Sequence, residues 1–364
     1  MKQNTRLILV GGFLGAGKTT LLSEIAGRLM TDGKKVGLIT NDQAAELVDT
    51  AFLLKTTQNV AEVSGSCFCC NFNGFIDSIR DVGERSDADI LIAEPVGSCT
   101  DLSATIVQPI KRLYADELLL SPLTVLADPF KLEDILNGGT AGLHKSAAYI
   151  YKKQLEESNI IVITKTDTIE MARLDFLKEK TKTFFPHAEV MAVSSKTSEG
   201  VGEWLSYVLA NSNSKDKTIE VDYKTYAEGE AVLGWLNATV SLRGDQIDWD
   251  KFAKRFLNEI GQRVKSMNLS VGHIKIMLQN GSNFLVGNIT NELGNVETRG
   301  SAGNSDQAQI IINARVELAP GQLEILVSES LRITAVDQVK TGILAWKCIS
   351  PGYPNPTYRY IRNM

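Results

Sequence analysis

The chain has 364 residues, 43% of them hydrophobic and 22% charged, with a formal net charge of -5. That supplies apolar material for two cores and too little positive charge for a broad nucleic-acid or anionic-membrane surface. No stretch is apolar for the length of a membrane crossing, no signal-peptide pattern precedes the first strand-like run, and the expected location is the cytoplasm.

Residues 6–10 form a short apolar run ending in glycines, the pattern of a buried strand. Residues 18–30 carry Leu21, Leu22, Ile25, Ala26 and Leu29 at helical spacing. Strand-like runs recur at 35–40, 89–93, 123–127, 159–164 and 189–193. Helical patterns fall at 73–82, 101–114, 145–157, 168–184 and 201–210. Strands alternating with helices predict the α/β class, a parallel sheet with helices on both faces.

Residues 211–217 are small and polar and read as a linker. Beyond them the rhythm changes to strand 231–242, helix 249–267, strands 273–278, 284–289 and 309–318, and helix 321–333. That order predicts a smaller C-terminal α+β domain of ferredoxin-like character. Residues 291–306, rich in Gly, Asn and Ser, read as a mobile loop, and the proline-rich segment 351–356 cannot be helical. The implied division is a first domain over residues 1–212, a linker over 213–220 and a C-terminal domain over 221–364.

The run from Gly12 to Thr19 matches G-x-x-x-x-G-K-[ST] between a predicted strand and a predicted helix, the context that makes a P-loop credible. Gly12, Gly15, Ala16 and Gly17 would wrap phosphates with backbone N–H groups at the start of the helix, where Thr20 also lies. Lys18 would reach the terminal phosphates as a catalytic group, and the Thr19 hydroxyl would ligate Mg²⁺.

Thr164-Lys165-Thr166-Asp167 follows a strand and resembles the guanine-recognition motif of GTPases, with Thr in place of the commoner Asn. A carboxylate at Asp167 pairs with the donor edge of guanine, which adenine lacks, so GTP and GDP are the expected nucleotides. Thr164 and Lys165 would support the base. Ser194, Ser195 and Lys196 resemble the last base-contacting loop of such proteins. Asn41-Asp42 and Glu94-Pro95-Val96-Gly97 follow predicted strands, at the strand ends where open α/β sheets bind ligands. Glu94 is a candidate for holding a magnesium-bound water or orienting the attacking one. Asp42 is a second catalytic candidate and Asp128 a weaker one. Gly97 would sense the terminal phosphate. No catalytic Gln or arginine finger in cis is visible, which predicts slow intrinsic turnover.

Five cysteines are present, three of them packed as Cys67-Phe68-Cys69-Cys70. A tight thiol cluster in a reducing compartment points to a soft metal ion such as Zn²⁺ or Co²⁺. Three thiols leave one position open, which suits a carrier better than a closed structural site. Cys99 is the candidate extra ligand, the alternative being a small buried residue. Cys348 reads as structural.

Taken in order, the P-loop, Asn41-Asp42, the C-x-C-C element, Glu94–Gly97 and Thr164–Asp167 resemble the CobW-like metal-chaperone GTPases, relatives of the hydrogenase and urease nickel-insertion GTPases. The likeness covers about the first 210 residues. It implies a P-loop NTPase sheet, GTP hydrolysis, and delivery of zinc or cobalt to a client metalloprotein. The alternatives it leaves open are service to cobalamin synthesis or a corrinoid protein, and a regulatory switch with a structural zinc knot. A nucleotide-dependent homodimer also stays open. Many relatives carry a histidine-rich stretch. This chain has only the scattered His144, His187 and His273, so it reads as a carrier rather than a store. The sheet of the second domain is the expected face for client recognition.

Overall fold

The computed structural model describes residues 4–43, 48–213, 218–290 and 294–361. Seven parallel-paired strands, β1 (Thr5–Gly12), β2 (Val36–Asp42), β3 (Val60–Ser64), β4 (Ile90–Glu94), β6 (Thr124–Ala127), β7 (Ile160–Ile163) and β8 (Glu189–Ala192), lie in the order β3-β2-β4-β1-β6-β7-β8. The three-residue β5 (Leu118–Leu120) pairs beside the start of β1. Helices α1 (Lys18–Thr31), α2 (Val48–Leu53), α3 (Phe72–Ser86), α4 (Gln108–Leu113), α5 (Pro129–Leu136), α6 (Lys145–Glu157), α7 (Met171–Phe184) and α8 (Val201–Ala210) connect and cover them. The central strands are almost wholly buried, as a parallel sheet sandwiched between helices requires. β1, β2 and β4 stand side by side and end at Gly12, Asp42 and Glu94, so the sheet brings three predicted site segments to one edge.

The predicted helix at 101–114 is realised as a π-helical turn, Ser103–Val107, followed by α4. The short β3 and α2 carry too little periodicity to be read from sequence.

The second sheet is antiparallel. Its strands are β9 (Gly234–Asp248), β10 (Val271–Asn280), β11 (Asn283–Ile289), β12 (Glu297–Ser301), β13 (Asn304–Val316) and β14 (Lys340–Ile349), in the order β12-β11-β10-β13-β9-β14. The connecting helices are α10 (Trp249–Ser266) and α11 (Pro320–Ala335). The β10-β13-β9-β14 core has the order of a ferredoxin-like split β-α-β unit, with β11 and β12 added at one edge. The segment 291–306, expected to be a loop, contains β12 and the start of β13; residues 291–293 lie outside the described residues. Every β12 residue is exposed, so no apolar alternation marks it, and backbone pairing with β11 defines it.

Along β10, Ile274, Ile276 and Leu278 face the core under α10 and α11, and His273, Lys275 and Met277 face the other way. That second face is not open at its centre, contrary to the expectation of a free client-binding sheet. Met277 and Ile311 pack on Val48 of α2, and Phe284 meets Phe52 edge-on. The Asn313 side chain accepts from the Val48 N–H at 2.7 Å, capping α2 from across the sheet. Arg315 pairs with Asp42 at the end of β2, donates also to Asn237, and lies 4.3 Å over the Trp235 ring. The helix α9 (Tyr223–Ala231), which the sequence division places with the second domain, packs on α6, and its Tyr226 belongs to the core of the first. The linker residues 214–217 lie outside the described residues.

The Arg315–Asp42 pair is buried on both sides. Removing one partner leaves an unpaired charge inside the protein, a loss of roughly 3–5 kcal/mol. Arg315→Ala is therefore expected to lower the urea midpoint sharply, and Arg315→Ala with Asp42→Asn to recover a large part of it. Equal midpoints for the single and double variants would remove the pair from the account of how the two sheets are joined.

Candidate functional site

Glycines make the turn between β1 and α1. Gly12, Gly15 and Gly17 hold φ of 133°, 81° and 90°, a region closed to most side chains. Lys18 folds back over the loop and donates to the Gly12 carbonyl at 2.8 Å. Burial lowers its pKa, and the Glu94 charge partly restores it. A Cβ on Gly97 would lie 3.0 Å from the Lys18 ammonium and 2.7 Å from the Leu14 side chain, so this loop passes close over the phosphate loop.

Thr19 binds two carboxylates. Its hydroxyl lies 2.7 Å from Asp49 Oδ1 and 3.2 Å from Glu94 Oε2. A hydroxyl with two carboxylates is a hard oxygen set that fits Mg²⁺. When bound, the ion would be held by Thr19, with Asp49 and Glu94 reaching it directly or through water, and it would neutralise phosphate charge. Burial, and then the nearby Asp49 charge, pushes Glu94 up to about 7. Burial alone would raise Asp49 too, but the Lys275 charge and hydrogen bonds from Lys275 and Thr19 outweigh it and hold it below the usual carboxylate range. Lys275 Nζ stands 2.7 and 2.8 Å from the two Asp49 oxygens. Neither Asp49 nor Lys275 was singled out from the sequence. The signal for Lys275 was present: His273 and Lys275 fall on one side of an otherwise apolar alternating strand.

Asp42 is placed elsewhere than expected. Its carboxylate is taken by Arg315 and by the Gln43 N–H, and burial raises its pKa against that pairing. The structure thus gives it a structural partner, and the carboxylate that joins Glu94 beside Thr19 is that of Asp49. Asn41, its neighbour, points the other way. Its amide donates to the Val63 and Ser66 carbonyls at 2.8 Å each and its oxygen accepts from the Phe68 N–H at 2.8 Å.

The segments expected to bind the base converge at the ends of β7 and β8. The Thr164 hydroxyl donates to the Ala16 carbonyl at 2.9 Å, tying this loop to the phosphate loop. Lys165, in the left-handed region at φ 53°, pairs with Asp128 at 2.9 Å. Asp128 is thereby a brace for Lys165 and the N-cap of α5. Asp167 accepts from the Ser194 hydroxyl at 2.8 Å, and Lys196 is 3.6 Å from its other oxygen. Ser195 lies between these two, half-buried, and Thr20 is exposed on α1.

The thiols sit beside this nucleotide site. Cys67 and Cys69 are 3.0 Å apart, and the sulfurs of Cys67, Cys69 and Cys99 all lie within 4.8 Å of one another, all buried. A tetrahedral zinc with bonds of about 2.3 Å sets sulfurs about 3.8 Å apart, so a small expansion of this triad admits one ion. Cys99 is therefore in the cluster. Cys70, half-buried, is 3.9 Å from Cys69 and forms the rim. A hydrogen bond from Cys69, with others from Cys70 and Cys99, pulls the Cys67 thiol well below its usual value, and the reciprocal bonds push Cys69 and Cys99 well above theirs. The loop leads straight into α3, whose N-cap Asn71 accepts from the Gly74 N–H at 3.1 Å, and this helix end favours a thiolate. The segment 94–99 joins the two sites. Gln154 donates to the Gly97 carbonyl at 3.0 Å and the Cys99 carbonyl at 2.8 Å, fixing the stretch between Gly97 and the thiol. The C-terminal segment covers the rim: the Asn355 N–H donates to Cys70 Sγ at 3.3 Å and the Thr357 N–H to the Cys69 carbonyl at 2.8 Å. His144 caps α6, and His187 and His273 are remote from the thiols by any described contact. Cys348 donates to the Pro320 carbonyl.

The family model described as CobW/HypB/UreG, nucleotide-binding domain, matches residues 6–192. The chain is 24% identical over 212 residues to the zinc-regulated GTPase metalloprotein activator 1 of Dictyostelium discoideum, a match covering 50% of this chain and 44% of that protein. It is 27% identical over 198 residues to the zinc chaperone CobW of Sinorhizobium sp, covering 47% of this chain and 54% of that protein. The chain thus spans about half the length of these two relatives. Among solved structures, the Zn(II)-bound YjiA GTPase from E. coli aligns over 90% of this chain and 99% of its own at 16% identity and a TM-score of 0.35. No helix among the described residues is long and apolar enough to cross a membrane.

Two outcomes follow from this geometry. Cys99→Ser should weaken Co²⁺ binding as much as Cys67→Ser, by at least about tenfold, and reduce the sulfur-to-cobalt absorption, because three thiolates fix the ion and one is lost. An unchanged spectrum would return Cys99 to the core. Glu94, with its pKa raised to about 7, keeps its proton in the fold while the unfolded chain loses it. Stability of the nucleotide-free protein from this group therefore falls as pH rises from the ordinary carboxyl range to about 7. Glu94→Gln should raise the melting temperature at pH 8 and leave it nearly unchanged at pH 4.

Proposed function

Because the chain belongs to the CobW/HypB/UreG family, we propose that it is a GTP-binding and GTP-hydrolysing carrier of a transition metal, which it delivers to a client metalloprotein. The observation that carries this is the short segment from Glu94 to Cys99. One end supplies a carboxylate beside Thr19, its middle runs past Lys18, where a Cβ on Gly97 would lie 3.0 Å from the ammonium, and its far end supplies a thiol to the buried triad. A terminal phosphate that draws on Gly97 therefore pulls on Cys99 through two peptide bonds of fixed backbone. Binding of nucleotide and of metal are then reciprocally linked.

Zinc is the favoured cargo. Thiolates suit it, and both relatives above carry zinc in their names. Cobalt shares the ligand preference. Guanine is chosen over adenine by Asp167, whose carboxylate is already aligned by Ser194 and Lys196. In hydrolysis, Lys18 would hold the transferring phosphoryl group, and Glu94, with its raised pKa, is suited to accept a proton from the attacking water. The client is a metal-requiring protein that meets the half-buried Cys70, the thiol nearest the surface. The cytoplasm, where thiols stay reduced, is the matching compartment.

Metal affinity measured by chelator competition with GDP and with a non-hydrolysable GTP analogue tests the reading. A coupling of 1–3 kcal/mol would appear as about a five- to hundredfold difference in Zn²⁺ affinity between the two nucleotides, lost in the Cys67/Cys69/Cys99→Ser variant. Tight binding indifferent to nucleotide would instead mark the buried triad as a structural knot. A difference seen only with Co²⁺, together with transfer to a corrinoid protein and none to a zinc apoprotein, would favour service to corrinoid maturation.

A further inference from the structure

The phosphate loop is roofed by the second sheet. β10 carries an irregularity between Val271 and His273, where Gly272 bulges out of register with β13. A Cβ built on Gly15 would lie 3.3 Å from the Gly272 carbonyl, and one on Gly272 would lie 2.6 Å from Leu14. Two glycines thus let the strand and the phosphate loop meet backbone to backbone. Bulges recur beside active sites because they re-aim the side chains that follow. Here the residues that follow are His273 and Lys275, both on the face turned toward the first sheet.

Lys275 contacts both oxygens of Asp49, and Asp49 contacts the Thr19 hydroxyl at 2.7 Å. The ammonium is therefore no more than two hydrogen-bond lengths from the group expected to hold Mg²⁺. Without nucleotide the corner holds two carboxylates, Asp49 and Glu94, and two lysines, Lys18 and Lys275. A magnesium ion competes for Asp49 with Lys275. The triphosphate that accompanies it brings more negative charge than the ion cancels. His273 adds a separate sign of a missing ligand: its side chain is buried, and Nδ1 has no hydrogen-bond partner. Burial holds this imidazole well below its ordinary pKa, and the Lys275 charge adds to that, so it is a neutral ring with hydrogen-bonding capacity unspent.

We propose that Lys275 is a phosphate-binding residue of the nucleotide site, supplied in cis by the second sheet: it serves as the counter-ion of Asp49 when the site is empty and turns to the terminal phosphate of a nucleoside triphosphate when magnesium takes Asp49. The sequence shows no arginine finger, and this lysine fills that role from the far domain. It rests on the reading that a guanine nucleotide binds at the phosphate loop. The same contact makes the roof sensitive to the third phosphate, since a diphosphate leaves Lys275 on Asp49.

The test is fluorescence titration of the full chain with methylanthraniloyl-labelled GDP and a labelled non-hydrolysable GTP analogue in Mg²⁺, for the wild type and for Lys275→Met, Lys275→Gln and Lys275→Arg. A charge-assisted hydrogen bond of 1.5–3 kcal/mol predicts that Met and Gln weaken the triphosphate analogue by about 10- to 100-fold, with GDP changed less than about threefold and Arg retaining most of the affinity. Equal losses for both nucleotides, or none, would make Lys275 a prop of the domain contact and overturn the proposal while GTP binding stands. Failure of the wild type to bind either nucleotide would overturn the underlying reading and this inference with it. Gln keeps a polar end one atom shorter and uncharged, so a Met variant that fails to fold still leaves a decisive comparison.

Discussion

The structure turns on the last two residues of β2. Successive side chains of a strand point to opposite faces, and at this strand end the two faces belong to different parts of the protein. Asn41 reaches into the cysteine loop and makes three hydrogen bonds to its backbone and that of β3. Asp42 reaches into the second sheet and pairs with Arg315. Both are buried, so neither can be released without leaving an unsatisfied polar group or charge. A shift of β2 relative to the nucleotide is therefore felt at the thiols and at the second sheet together.

The remaining contacts extend this arrangement. The second sheet grips the segment after β2 at Val48, Asp49 and Phe52, while β10 lies on the phosphate loop itself. The first domain grips the metal loop through Asn41 on one side and through Cys99 on the other. Nucleotide, metal and second sheet thus share two rigid strand ends, β2 and β4, that neighbour each other in the sheet. This geometry needs no long pathway: the Glu94–Cys99 segment spans the distance between the two sites within six residues.

The chemistry of the first site was legible because its residue types are tied to backbone requirements. Gly12, Gly15 and Gly17 occupy positions that need positive φ, and the strand-loop-helix context could be read from periodicity. The cysteines were legible by spacing, and Cys99 was legible as a candidate extra ligand, with a small buried residue as the alternative. What places it beside Cys67 and Cys69 is the loop after β4, a tertiary fact. The pairing of Asp49 with Lys275 was invisible because it joins residues 226 apart and neither lies in a motif, although the polar side of the strand carrying Lys275 was a readable signal. Asp42 was misplaced because an acid at a strand end suits a metal site, and nothing local reveals that Arg315 claims it. Among the elements, β12 escaped notice because an edge strand with every residue exposed carries no apolar alternation.

The burial of the thiol triad has a consequence for transfer. The thiols of Cys67, Cys69 and Cys99 are buried, and they belong to the same core as Phe68, Phe72 and Phe75. Cys70 alone faces outward, and the segment 355–357 lies across it. The covering is made by backbone hydrogen bonds at Asn355 and Thr357, the Arg359–Asp101 ion pair, and Tyr358 edge-on to Phe72. Under the proposed role, transfer of an ion to a client would call on Cys70, the thiol nearest the surface, and on movement of the segment 355–357 that lies across it.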